Sequence, residues 1–113
     1  VIQRVGIDIV STIRIDQAIQ NPRFIERILT KSEREQEITP TYVAGRWAAK
    51  EAIKKCIPTL KSWHEVEIIN RPDGAPEATV DHPNFNPSRH LIHISISHED
   101  THTVALAILE TRS

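Results

Sequence analysis

The chain has 113 residues, 39% of them hydrophobic and 26% charged, the composition of a globular domain rather than a disordered segment. Its 14 basic and 15 acidic residues give a formal net charge of −1, which excludes a nucleic-acid binder held by bulk charge. No apolar run approaches the ~20 residues of a membrane span. Arg4 and Asp8 interrupt any secretory pattern, and a lone Cys56 excludes a disulfide framework or a Cys-rich zinc site. The expectation is one cytoplasmic domain spanning residues 1–113. The charge is unevenly spread: residues 1–61 carry eleven Lys and Arg against seven Asp and Glu, and residues 62–113 carry three against eight. Such a split points to a localised basic face or to faces that meet between subunits.

Residues 1–10 are apolar and rich in β-branched side chains, so they predict a strand, with Val5, Ile7 and Ile9 on one face and Arg4, Gly6, Asp8 and Val10 on the other. Ser11-Thr12 offers a cap for a short helix from Ile13 to Ile19. Asn21-Pro22 ends it and starts another, with Phe24, Ile25, Ile28 and Leu29 as its apolar stripe and Arg23, Arg27 and Lys31 on a different face. Ser32-Glu33-Arg34-Glu35 matches a capping box. Thr39-Pro40 opens a long helix that runs to about Ile57, where Pro58 stops it. Ala44, Trp47, Ala48, Ala52 and Cys56 form its small-residue apolar face.

The second half changes period. Val66 to Ile69 and Ala78 to Val80 flank a Pro72-Asp73-Gly74-Ala75-Pro76 turn and predict a hairpin. Asp81 to Arg89 reads as a loop or a very short helix. Leu91 to His98 alternates strictly, Glu99-Asp100 turns the chain, and Thr103 to Leu109 closes it as a strand. The fold class is α+β, an antiparallel sheet packed on a long helix.

Asp8 lies between two isoleucines in a strand, where an unpaired carboxylate is costly unless it faces water, caps a helix or binds a metal. Glu51 lies close to the apolar face of the long helix and four residues before Lys55, the favoured order for an intrahelical ion pair. Read alone, that pair is a surface salt bridge. Read with Asp8, two hard carboxylates and a lysine suit magnesium and a phosphate. Lys50 and Lys54 are expected to be solvated. His98 and His102 fall on opposing strands around a turn, no Cys cluster accompanies them, and zinc is a poor fit. Ser95 and Ser97 lie near His93 and His98 with no Asp in a third place, so a Ser-His-Asp hydrolase is a poor reading.

Three separated motifs coincide: Gly6-Ile7-Asp8-Ile9-Val10, Arg46-Trp47-Ala48-Ala49-Lys50-Glu51-Ala52 followed by Lys55, and His93-Ile94-Ser95-Ile96-Ser97-His98. Together they resemble the holo-acyl-carrier-protein synthases, the small 4′-phosphopantetheinyl transferases, over nearly the whole chain. The resemblance implies transfer of the phosphopantetheine arm of coenzyme A to a serine of an apo acyl carrier protein, with magnesium on the pyrophosphate and release of adenosine 3′,5′-bisphosphate. It makes Asp8 and Glu51 metal ligands, Lys55 a phosphate contact and His98 a hydrogen-bonding partner of the coenzyme diphosphate. Arg46 is placed at the nucleotide end, with Gly74 and Pro76 as the family's Gly-x-Pro turn. Arg14, Arg23 and Arg27 become the docking face for an acidic carrier, and a homotrimer with sites between subunits is implied, as is a place in fatty acid biosynthesis.

Asp8, enclosed between apolar neighbours, is the expected proton acceptor, directly or through a metal-bound water. The chain departs from the family in a short, proline-rich 81–89 segment, which leaves the shape of one wall of the coenzyme site open. Trp47 stands where phenylalanine is more usual, and Glu99 and Asp100 add negative charge beside an expected pyrophosphate. Two alternatives share part of this pattern. A non-enzymatic module that binds acidic proteins explains the arginines but not Asp8, Glu51 and His98. A related transferase for carriers of another pathway shares every residue. A histidine-based metallohydrolase ranks last.

Overall fold

Glycine and alanine set the geometry of this molecule, because they let a helix lie directly on a strand. The first strand, β1 (Ile2–Ser11), carries Gly6, and the long helix, α3 (Pro40–Cys56), crosses it there. A Cβ at Gly6 would stand 2.1 Å from the Ala52 carbonyl oxygen, closer than atoms can approach. Ala44, Ala48, Ala49 and Ala52 of α3 are fully buried, as are Ala105 and Ala107 of the last strand. Small side chains on both sides bring the backbones together. The computed structural model describes residues 1–112.

Between β1 and α3 lie two short helices, α1 (Thr12–Ala18) and α2 (Pro22–Ile28). Each starts as its sequence predicts. Ser11 caps α1 through the Arg14 N–H, and Asn21 caps α2 through the Arg23 N–H with Pro22 in the first turn. Thr39 caps α3 the same way through Tyr42 N–H, and Pro58 follows its end. The Ser32 capping box does not form. Glu33–Glu35 is a single 3-10 turn without a side-chain cap, and the Glu33 carboxylate is turned into the core.

Four strands follow: β2 (Val66–Asn70), β3 (Pro76–Val80), β4 (His90–His98) and β5 (His102–Thr111). The antiparallel pairing holds, but the strands divide into two sheets, β1-β5-β4 and the β2-β3 hairpin. The hairpin turn needs Gly74, whose φ is +89°, a left-handed conformation open to glycine. Two cores result. One lies between α3 and the sheets, around Ile53, Val66, Ile68, Ala105 and Ala107. The other joins α1 and α2 to the first half of α3, around Ile15, Ile28, Leu29, Val43 and Ala44.

The expected solvation of Lys50 is overturned. Its side chain is 0% exposed and its ammonium lies 2.7 Å from the equally buried Glu33 carboxylate. Lys50 also donates to the carbonyls of Ile28 and Trp63, while Glu33 accepts from the N–H groups of Thr30 and Ile68. Every strong group has a partner, which is the condition for burying charge. Lys54 is half-buried and donates to the Leu60 carbonyl.

Candidate active site

Alternation along β1 puts Asp8 on the side facing α3. Its neighbours Ile7 and Ile9 point the other way and are 59% and 62% exposed. They do not enclose Asp8, so the enclosure expected from the sequence is corrected. The close crossing at Gly6 sets Asp8 beside the last turns of α3. There Lys55 donates to the Ile7 carbonyl and to Asp8 Oδ1, the latter at 3.5 Å.

Asp8 and Glu51 line one cleft of about 640 Å³, together with Ser11, Arg14, Ile15, Trp47 and His102. Partial burial pushes the Glu51 carboxyl above its ordinary value, and the negative charge of Asp8 pushes it the same way, while Lys55 and Lys54 oppose. A carboxylate held up by burial and by a neighbouring carboxylate has room for more positive charge beside it than Lys55 and Lys54 supply. That donor set, hard oxygens opening on a cleft, fits a divalent cation that completes its shell with phosphate and water. Trp47 forms a cleft wall and is held edge-on between Phe24 of α2 (5.7 Å) and Trp63 (4.7 Å).

The other expected site residues gather elsewhere. Arg46 is 8% exposed, stacks on Tyr42 at 4.5 Å and donates to Asn70 Oδ1 at 3.2 Å. Its Nε is buried without a partner. It lines a second cavity of about 280 Å³ with Ser32, Gln36, Tyr42 and Asn70. Asn70 is the cross-strand partner of Pro76, so Arg46 and the Gly74–Pro76 turn share one end of the hairpin. His98 ends β4 with Nδ1 3.0 Å from Thr103 Oγ1 and its ring against Gly45, where a Cβ would stand 3.0 Å from Cε1. Residues 81–89 leave from the opposite end of the hairpin, and none of them lines either cavity. Glu99 and Asp100 are exposed in the β4–β5 turn.

Of the three docking arginines, Arg14 lines the carboxylate cleft, whereas Arg23 and Arg27 line a separate shallow pocket around Phe24. Sequence reasoning missed two residues. Glu33 gave a surface capping signal, and only the burial of Lys50 reveals its role. The sequence offers His102 only as a zinc candidate with His98, and it lines the cleft beside its cross-strand partner Ser11.

A sheet of this topology under a long helix, with an acidic pair at their crossing, defines a class, and comparison with known proteins agrees. The family model described as the 4′-phosphopantetheinyl transferase superfamily matches residues 4–109. A holo-[acyl-carrier-protein] synthase of Oceanobacillus iheyensis is 45% identical, with 96% of each chain covered. One from Halalkalibacterium halodurans is 38% identical over 96% of this chain and 95% of that protein. Among solved structures, the holo-(acyl-carrier-protein) synthase of Bacillus anthracis, in complex with coenzyme A (3′,5′-ADP), superposes with a TM-score of 0.83 at 34% identity, covering 99% of this chain and 98% of that one. The Helicobacter pylori enzyme, in complex with coenzyme A, gives 0.84 at 28% identity, covering 95% and 100%. The chain belongs to the 4′-phosphopantetheinyl transferase superfamily, and within it to the holo-[acyl-carrier-protein] synthases.

Proposed function

We propose that this chain, acting as one domain over residues 1–113, moves the 4′-phosphopantetheine group of coenzyme A to a serine of an apo acyl carrier protein and releases adenosine 3′,5′-bisphosphate. The observation that carries the reading is the Asp8–Glu51 pair opening on one cleft with Lys55 against Asp8. Asp8 and Glu51 would hold Mg2+. When bound, magnesium supplies charge neutralisation on the pyrophosphate, the chief requirement of phosphoryl-type transfer. Lys55, 53% exposed at its side chain, is free to swing from Asp8 to a phosphate oxygen as negative charge builds on the leaving group. His98 hydrogen-bonds the diphosphate. Arg46, with an unpaired buried Nε, and the Gly74–Pro76 turn take the nucleotide end.

Arg14 on the cleft and Arg23 and Arg27 beyond it meet the acidic carrier. In a single chain the carboxylate cleft and the Arg46 cavity share no lining residue, which supports a site completed by a second copy. The outward face of β1 supports the same assembly, a homotrimer. Val5, Ile7 and Ile9 are 57–62% exposed and pair with Ile108, Leu106 and Val104, an apolar stripe of the kind that marks contact surfaces. We place the enzyme in the cytoplasm, serving fatty acid biosynthesis. No helix among the described residues is long and apolar enough to cross a membrane.

The test is incubation with coenzyme A, magnesium and a purified apo carrier, followed by mass. A gain of one phosphopantetheine, lost when magnesium is omitted, is expected. No gain with any carrier under these conditions would leave only the carrier-binding module. Sedimentation showing a stable, active monomer would remove the trimer.

A further inference from the structure

A buried hydroxyl needs an acceptor for its hydrogen, and that need can decide the tautomer of a histidine beside it. Thr103 of β5 is 2% exposed. Among the described residues its hydroxyl makes one hydrogen bond, at 3.0 Å to Nδ1 of His98. The two residues are cross-strand partners on β5 and β4, and Val10 of β1 completes their row. Two residues along, Asp8, Ala105 and Ile96 form a row with the same facing. Strand alternation therefore puts His98 and Thr103 on the side of the sheet where Asp8 meets α3. The ring lies against that helix: a Cβ at Gly45 would stand 3.0 Å from Cε1 and 3.3 Å from Nε2.

A threonine hydroxyl has one hydrogen to give and two lone pairs. If Nδ1 held the ring hydrogen and donated it to Oγ1, the hydroxyl hydrogen would be buried with no acceptor. If the hydroxyl donates to Nδ1, only lone pairs go unused, the milder deficit in a folded protein. The ring hydrogen then sits on Nε2. Nε2 has no hydrogen-bond partner among the described residues, and His98 is exposed. An N–H open to solvent suits an anionic oxygen, which only accepts. The other tautomer would turn a lone pair toward it.

Building on the reading that His98 hydrogen-bonds the coenzyme diphosphate, we propose that Thr103 is a positioning residue for that contact. Its hydroxyl donates to His98 Nδ1, fixes the Nε2–H tautomer and so makes the ring a donor to a phosphate oxygen. Thr103 touches no substrate; it acts through the ring.

Nitrogen-15 NMR of the labelled full chain at about pH 8.5 reads the tautomer directly, because protonated and unprotonated ring nitrogens resonate far apart. Six histidines contribute, and the His98 signals are those lost in His98→Gln. The native ring should carry its hydrogen on Nε2. Thr103→Val, which keeps the shape and removes the hydroxyl, should lose that preference, and Thr103→Ser should keep it. Calorimetry with coenzyme A and magnesium reads the consequence. Thr103→Val should bind about 3- to 10-fold more weakly, and Thr103→Ser within about 2-fold of the native protein. Thr103→Val combined with His98→Ala should bind no more weakly than His98→Ala alone. Hydrogen on Nδ1 of the native ring, or a tautomer unmoved by Thr103→Val, would overturn the proposal. Losses that add in the double variant would overturn it in favour of a packing role. If His98→Ala alone binds coenzyme A like the native protein, the diphosphate role of His98 fails instead, and the ring spectrum still decides the tautomer.

Discussion

Lys50 and Lys55 sit on the same helix, and each meets a carboxylate from another part of the chain. Lys50 and Glu33 are both fully buried at 2.7 Å, whereas Lys55 and Asp8 are 53% and 19% exposed at 3.5 Å. The Lys50 ammonium has three acceptors and the Glu33 carboxylate three donors, so nothing there is left to bind a ligand. The Lys55 pair is loose, next to a second carboxylate, and opens on a cleft. One pair ties α2, α3 and β2 together; the other leaves its charge open to solvent, as the proposed phosphate contact requires. Saturation marks the scaffold and deficit marks the site.

Breaking the saturated pair is expected to have the largest effect. Lys50→Met strands the Glu33 carboxylate in the core and should lower stability by about 3–5 kcal/mol, read by urea unfolding. Replacing both partners with apolar residues should recover most of that loss. A single variant as stable as the native protein would refute the contrast.

The loose pair should behave oppositely. Asp8→Asn and Lys55→Met are expected to reduce transfer by at least about 10²-fold, yet change stability by less than about 1 kcal/mol. A matching collapse of the melting temperature would make this pair structural as well.

Gly6→Ala probes the crossing that joins the two regions. The added methyl must displace α3 or β1, at a cost of about 1–3 kcal/mol. Because Asp8 is two residues away, activity should fall with stability. Thermal melts paired with rate measurements would show whether both move.

Acid provides a smaller and reversible perturbation. The folded Glu51 holds its proton above the ordinary value of 4.5, so the native state binds more protons than the unfolded one between 4.5 and that raised value. Its contribution to stability is therefore full below 4.5 and is lost as pH rises through the raised value. A cation reverses this, and magnesium affinity should weaken as pH falls into the same window. Calorimetric titration would show proton release on binding there; a flat affinity across the window would separate Glu51 from the metal.

The smallest effect is expected on docking. Arg14→Glu with Arg27→Glu should raise the KM for the carrier and leave coenzyme A affinity unchanged. Equal loss of both would place these arginines elsewhere. Their separation in the structure, Arg14 on the cleft and Arg27 beside Phe24, predicts unequal contributions from the single variants, with Arg14 the larger.

Local signals were legible because local physics decides them. Ser11, Asn21 and Thr39 were readable as caps, Pro22 and Pro40 as first-turn residues and Pro58 as a stop, because a cap bonds within three residues. The three motifs carrying Asp8, Glu51, Lys55 and His98 were readable as chemistry. Glu33 and Lys50 were not, since the signal for each is a partner 17 residues away, and a charged residue in a sequence is ordinarily a solvated one.

By itself, then, the sequence determined most of the helices and strands and the family, and it singled out Asp8 and Glu51, all of which depend on neighbours or on recurring motifs. Tertiary structure alone decided that the strands form two sheets, that Lys50 belongs to the core, and that His102 shares a cleft with Asp8. Those outcomes depend on how closely α3 can approach β1, and Gly6 with the alanines of α3 permits an approach that no local pattern specifies. The uneven charge acquires its meaning there too. Of the basic residues of the first half, Lys50 lies sealed against Glu33, while Arg14 and Lys55 stand open around the carboxylates, where the proposed anionic substrates would meet them.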